Sequence, residues 1–72
     1  MNKIGYISAI QENKKKITEA ASIFIVYMYR GEISAYVKCA AEDREIGVKD
    51  FAEIIAAYSG TDTVFIDWLK EH

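Results

Sequence analysis

The 72-residue sequence contains no proline, one cysteine and one histidine, and its net charge at pH 7 is only −2. A single cysteine excludes an intramolecular disulfide. We place Cys39 on the core face of the β-hairpin that residues 23–40 predict, where a thiol is an inert apolar group. The histidine is His72, the last residue, where chain ends usually fray. The four glycines are isolated from one another, so no phosphate-binding loop is present. These absences predict a protein that is not an enzyme and takes no cofactor.

A membrane or metal-binding protein is also not indicated. The longest uncharged stretch, residues 20–29, has ten residues, whereas a membrane-spanning helix needs about 20. Glu42, Asp43 and Glu45 do not follow the spacing of a calcium loop and are typical of a solvated acidic turn. The N-terminus lacks the apolar core of a secretory signal, and Cys39 is unpaired. Together these features predict a cytoplasmic location.

Apolar residues make up 51% of the chain, which is high for one small domain covering residues 1–72. Residues 23–29 and 32–40 are rich in β-branched and aromatic side chains, and Gly31 lies between them. This pattern predicts a central antiparallel β-hairpin with Arg30 and Gly31 as its two-residue loop. Counting outward from the loop yields one uncharged face, which we assign to the core. Its members are Phe24, Val26, Met28, Ile33, Ala35, Val37 and Cys39.

The opposite face of the predicted hairpin is apolar and aromatic with polar tips. Its main members are Ile23, Ile25, Tyr27, Tyr29 and Tyr36. Arg30 would project beside them from the turn, and tyrosine and arginine are enriched at the centres of protein interfaces. This face is the predicted partner-binding surface, unless the N-terminal segment covers it.

The sheet has two strands, or three if residues 45–48 add a short one, and two C-terminal helices are predicted to pack on the core face of the hairpin. The first opens at Lys49 or Asp50 and carries Phe51, Ile54, Ile55 and Tyr58 at helical spacing. Gly60 is expected to end it in the left-handed conformation, and Thr61 to begin the second helix. For the N-terminal segment we favour a helix over residues 8–21, with a strand over residues 3–10 as the alternative. The predicted fold class is therefore α+β.

Charge is divided unevenly along the chain, with a net +3 over residues 1–38 and −5 over residues 39–72. Such asymmetry influences partner choice more than fold. With no catalytic groups visible, the sequence favours a small protein-interaction module, an inhibitor or adaptor that occupies a partner's surface. A phage or mobile-element protein that blocks a host nuclease, such as a CRISPR effector, is one example by analogy. Glu42, Asp43 and Glu45 would then engage a basic groove, and a homodimer is the other use of the aromatic face.

The alternative is a nucleic-acid-binding or transcription-regulatory protein. Lys14, Lys15 and Lys16 form the one basic run, and the tyrosines of the hairpin face could stack on bases. Residues 50–71 also have the outline of a helix-turn-helix. Against both, the sequence pI is about 5.3, and the second C-terminal helix carries mainly acidic charges.

Overall fold

The computed structural model describes residues 1–72 and consists entirely of helices joined by short turns. The helices are α1 (Lys3–Thr18), α2 (Ile23–Glu42), α3 (Val48–Tyr58) and α4 (Thr61–Glu71). No residue is in a strand, so the predicted α+β class and its β-hairpin are wrong.

Both proposed hairpin strands and their loop lie within α2, which runs unbroken for 20 residues. Ser22 begins it, since its hydroxyl accepts a hydrogen bond from the Ile25 amide at 3.4 Å. Gly31 is helical, and only Gly60 has a positive φ. Val26 and Ile33, seven residues apart, are completely buried, as helical spacing requires. The preference of β-branched residues for strands is weak, and the burial of this heptad stripe overrides it.

The predicted core face of the hairpin is dispersed, because consecutive residues of a helix turn by about 100°. Phe24 and Met28 are exposed, although both were assigned to the core, whereas Val26 is buried as predicted. The Cys39 thiol is also exposed, so its assignment as a core group is wrong.

Helix α1 begins five residues earlier than predicted, and the alternative strand over residues 3–10 is wrong. The cause is Asn2, whose side-chain oxygen accepts a hydrogen bond from the Gly5 amide at 2.8 Å and caps the helix. Buried positions on and just after α1 recur at alternating steps of four and three residues. They are Tyr6, Ile10, Asn13, Ile17 and Ala20.

The two C-terminal helices are confirmed, and Gly60 separates them with a φ of 87°, in the left-handed region as predicted. The proposed strand at residues 45–48 is wrong. Residues 43–47 form a turn instead, in which an Asp43 carboxylate oxygen accepts a hydrogen bond from the Glu45 amide at 2.9 Å. Helix α3 starts directly after it, at Val48.

The helices form an elongated rod measuring 39 × 16 × 15 Å. Helices α1 and α2 run antiparallel, and α3 and α4 follow one another alongside α1 in the same direction. Lys3 at the start of α1 reaches Glu53 of α3 at 2.9 Å, whereas Ala20, just beyond the end of α1, accepts a hydrogen bond from Trp68 of α4 at 3.0 Å. We call α3 and α4 together the third strut, because they occupy the place of one long helix in a three-helix bundle.

The core runs along the axis of this rod, where every helix contributes. Its largest completely buried side chains are Ile10, Ile17, Val26, Ile33 and Ile54. Full burial of each contributes about 1.5–3 kcal/mol relative to an exposed position.

Folding mixes the two differently charged halves of the chain. Lys3 forms ion pairs with Asp50 and Glu53, and Arg30 lies 3.0 Å from Asp62. Because the acidic third strut lies beside the basic α1, the charge asymmetry of the sequence is not an asymmetry between the two ends of the rod.

Candidate protein-binding surface

One long side of the rod carries most of the large exposed apolar side chains. They belong to α2 and to the side of the third strut that faces α2, and we call this surface the apolar face. Its members are Phe24, Tyr27, Met28, Val48, Ile55, Ile66 and Leu69. The outer surface of α1, by contrast, is mostly polar, with exposed residues such as Ser8, Gln11, Glu12 and Lys15. The rod therefore has one apolar and one polar side.

The α2 part of the apolar face is a stripe that points away from the core. Phe24, Tyr27, Met28, Gly31 and Ala35 recur at steps of three and four residues, and all five are exposed. Phe24 is 81% exposed and Tyr27 is 56% exposed, values unusual for aromatic side chains. The stripe offers aromatic and thioether groups at one end and small residues in its middle.

Gly31 is unusual because nothing within this chain requires a glycine there. A Cβ placed on it would meet no atom within 4 Å, and its φ is not positive. A glycine inside a helix destabilises it by roughly 0.5–1 kcal/mol relative to alanine. The residue thus weakens α2 without a compensating contact inside the molecule.

The third strut contributes the neighbouring part of the face at the level of the α2 N-terminus. The rings of Tyr27 and Phe65 pack with their centroids 5.6 Å apart, and the Arg30 guanidinium lies 4.7 Å from the Phe65 ring centre. Arg30 also donates a hydrogen bond to Asp62 at 3.0 Å. Leu69, one turn beyond Phe65, extends the apolar surface along α4.

An apolar hollow of about 190 Å³ lies at the other end of this face, between the end of α2 and the start of α3. Its lining consists of Ala40, Ala41, Ile46, Gly47, Val48 and Phe51. None of these side chains is charged, and Val48 at its rim is 91% exposed. The hollow is large enough for an aromatic ring, since an apolar cavity of about 150 Å³ in another protein binds benzene.

The structure does not bring the predicted tyrosine cluster together. Tyr27 and Tyr36 are nine residues apart and therefore lie on opposite sides of α2. Tyr29 and Tyr36 are half-buried against the core, and the Lys16 ammonium lies 5.4 Å from the Tyr29 ring centre. Ile23 and Ile25 are also half-buried against the core. Of the predicted aromatic surface, Tyr27 belongs to the apolar face and Arg30 lies beside it.

The three residues of the predicted acidic cluster do not share one environment. Glu42 and Glu45 are exposed, whereas Asp43 is held by neighbours. The Tyr6 hydroxyl donates to an Asp43 oxygen at 2.8 Å, and the Met1 amino group lies 3.9 Å away. The amide of Glu45, and after it the Tyr6 hydroxyl, lower the pKa of Asp43 by stabilising its charged form. Asp43 therefore ties the α2–α3 turn to α1.

The same contact changes the titration of Tyr6. Its hydrogen bond to Asp43, assisted by burial, raises the pKa of Tyr6 to about 12, because losing the proton would place two negative charges side by side. This pair fastens one end of the rod and does not resemble an acid–base couple in a cleft.

Other candidate chemistry is not assembled. His72 stacks on Trp68 with ring centres 4.3 Å apart and lies far along the chain from Cys39. No three His, Cys, Asp or Glu side chains come together in a way that would hold a metal ion.

Comparison with known proteins adds no relative: no family model, curated protein or solved structure matches the chain. None of its helices combines the length and hydrophobicity needed to cross a bilayer.

Proposed function

We propose that this chain is a non-enzymatic protein-interaction module of the cytoplasm that binds another protein chain through its apolar face. The observation that carries the proposal is the placement of Phe24, Tyr27 and Met28, all more than half exposed, on one stripe of α2. Such a face suits an inhibitor or adaptor, which acts by occupying the surface of another macromolecule.

The size and composition of the face support this proposal. A fully exposed aromatic side chain offers about 150–250 Å², so Phe24 and Tyr27 together present on the order of 250 Å². Contiguous apolar surface beyond a few hundred Å² is uncommon on monomers and marks interaction sites. Aromatic residues, methionine and arginine are also the types enriched at interfaces.

The nucleic-acid alternative has less support. Two lysines of the basic run have internal contacts, since Lys14 donates to backbone carbonyls of the third strut and Lys16 packs near Tyr29. The exposed acidic residues Asp62 and Asp67 on α4 would repel phosphates. We therefore propose a protein as the partner.

The test is site-specific photo-crosslinking in cells that express the chain. A benzophenone amino acid replaces Phe24 in one variant and Ile4 in the control, since Ile4 is 68% exposed but belongs to α1. We expect protein adducts, identified by mass spectrometry, at position 24 and not at position 4. An absence of protein adducts at position 24, together with a low-salt gel shift on RNA or DNA, would contradict the proposal.

A further inference from the structure

We propose that the chain covering the apolar face is a second copy of this protein, in an antiparallel two-fold dimer. In this dimer the two α2 helices cross near their midpoints, and Phe24 of each copy inserts into the apolar hollow of the other. The inference rests on the proposed function, because it uses the same face, and it names the occupant.

The first argument is the fit between a protruding ring and a hollow at opposite ends of one face. Phe24 and Ala41 are 17 residues apart on α2, which corresponds to about 25 Å at 1.5 Å per residue. In a two-fold dimer every contact occurs twice, so if Phe24 of one copy enters the partner's hollow, the partner's Phe24 enters the hollow of the first copy. A two-fold axis midway between these positions therefore brings each exposed phenyl ring level, along α2, with the partner's hollow of about 190 Å³. Because Phe24 and Ala41 lie about 100° apart around α2, the two helices must cross at an angle for the ring to enter the hollow.

The second argument is the position of the unexplained glycine. The midpoint between Phe24 and Ala41 falls one to two residues from Gly31. The two helices therefore cross where the exposed side chains of α2 are smallest. Gly31, Ser34 and Ala35 are exposed and small, and residues of this size let two helix backbones approach closely. A close crossing accounts for a helix-weakening glycine that has open space around it in the single chain.

The third argument is electrostatic. Helix α2 has no acidic residue in its first turn and no basic residue in its last turn, so its dipole is not compensated by charges of its own terminal turns. An antiparallel partner brings the exposed Glu42 to the first turn of the facing α2, where a carboxylate is favourable. The same register places Lys38 opposite the partner's Tyr27, where the ammonium can lie over a ring.

The available area predicts a dimer of moderate strength. An entire side of the rod, 39 by 16 Å, sets an upper limit of about 600 Å² for each copy, or about 1,200 Å² in total. This upper limit is at the low end of the areas of specific, stable interfaces, so we expect a weak dimer that dissociates on dilution.

The first experiment measures association by sedimentation equilibrium from 5 to 500 µM. We expect Phe24→Ala to weaken association at least hundredfold, since both rings of the dimer are lost, and the matched control Ile4→Ala to leave it unchanged. A wild-type chain that is monomeric at 500 µM would overturn the inference, as would a Phe24→Ala variant that associates normally.

Gly31→Gln separates association from folding. Because the single chain has open space at Gly31, glutamine should improve α2 and raise the melting temperature at 5 µM by a few degrees. The same side chain obstructs the helix crossing, so we expect dimerisation to be lost at 500 µM. A variant that is more stable and still dimeric would place the crossing elsewhere and refute this geometry.

The orientation is tested with the native Cys39, which is exposed and is the only cysteine. In the antiparallel dimer its two copies lie about 20 Å apart along the helices, six to seven residues on either side of the axis. A parallel dimer would bring them to about 10 Å, the spacing of neighbouring helices. A spin-label distance above about 20 Å supports the antiparallel arrangement, and a distance near 10 Å overturns it.

These outcomes are distinguishable from failure of the proposed function. Adducts of position 24 with a different protein, from a chain that remains monomeric, would preserve the interaction module and overturn the dimer. Adducts of position 24 with the chain itself, mapped to α2 or α3 around the hollow, would support both.

Discussion

Replacement of Lys14 by methionine should destabilise the fold, because this lysine binds the junction between α3 and α4 in the third strut. Its ammonium donates hydrogen bonds to the carbonyl oxygens of Ala57 at 3.0 Å and of Ser59 at 2.9 Å. These carbonyls are at the C-terminal end of α3, which has no basic residue in its own last turn. Lys14 therefore supplies from α1 the positive charge that the end of α3 lacks.

The magnitude follows from the contacts that methionine would lose. A hydrogen bond to a charged group contributes about 1.5–3 kcal/mol when sheltered, and a cation at a helix C-terminus about 0.3–1 kcal/mol when exposed. Lys14 is half-buried, and water can replace part of its contacts with the carbonyls. We therefore expect Lys14→Met to lower the free energy of unfolding by about 1–2 kcal/mol, which is a fall in melting temperature of about 5–15 °C.

The assay is urea unfolding followed by circular dichroism, with Lys15→Met as the matched control. Lys15 is exposed and has no side-chain partner, so its replacement should change the unfolding free energy by less than about 0.5 kcal/mol. The reasoning would be refuted if the two variants unfolded at the same urea concentration.

Four further outcomes follow from local geometry. Gly60→Ala should lower the free energy of unfolding by about 1–2 kcal/mol in urea titrations, because alanine is strained at a φ of 87°. Trp68→Phe should lower it by about 2 kcal/mol in thermal unfolding, since the buried carbonyl of Ala20 loses the indole N–H at 3.0 Å and some packing is lost. The raised pKa of Tyr6 means that its contribution to stability is complete below pH 10 and is lost as pH rises towards 12. Absorbance titration should therefore show one tyrosine ionising near pH 12, and Tyr6→Phe should remove that step. The lowered pKa of Asp43 works in the opposite direction, so its contribution is complete above pH 4 and is lost as pH falls below the ordinary carboxyl pKa.

The C-terminal half of the fold could be predicted because its signals agree with one another. Ile54, Ile55 and Tyr58 follow helical spacing, and Gly60 supplies the left-handed residue that ends the segment. The spacing of the apolar residues, the capping residues and the glycine that ends α3 all indicate two helices there. The sequence alone therefore predicts this half of the fold.

Helix α2 could not be recognised in the same way, because it is apolar on nearly all sides over residues 23–29. A run of this kind fits a buried strand as well as a helix, and its β-branched and aromatic content favours the strand. Gly31 then resembles a turn, although its conformation is helical. The start of α1 was missed because the single capping residue, Asn2, lies at the very beginning of the sequence.

The surface was mispredicted as a direct result of the wrong period. With a repeat of two, Phe24 and Val26 share a face, whereas on a helix they are about 200° apart and only Val26 is buried. Of the predicted partner-binding residues, Tyr27 is exposed and Arg30 lies half-buried beside it. Phe24, Met28 and Gly31 are recognised as one stripe only when α2 is known to be helical.

The division of the third strut at Gly60 has a consequence for how the rod opens. Helix α3 packs beside the first part of α1, and α4 lies beside the region where α1 ends and α2 begins, so the two halves of the strut pack mainly against different parts of the bundle. Local opening in proteins follows such units and not the whole chain. Amide hydrogen exchange should therefore separate α4 from α3, with α4 released first when the indole of Trp68 leaves Ala20. The end of the rod that bears Phe24 would then unfold locally while the end that bears the hollow stays folded.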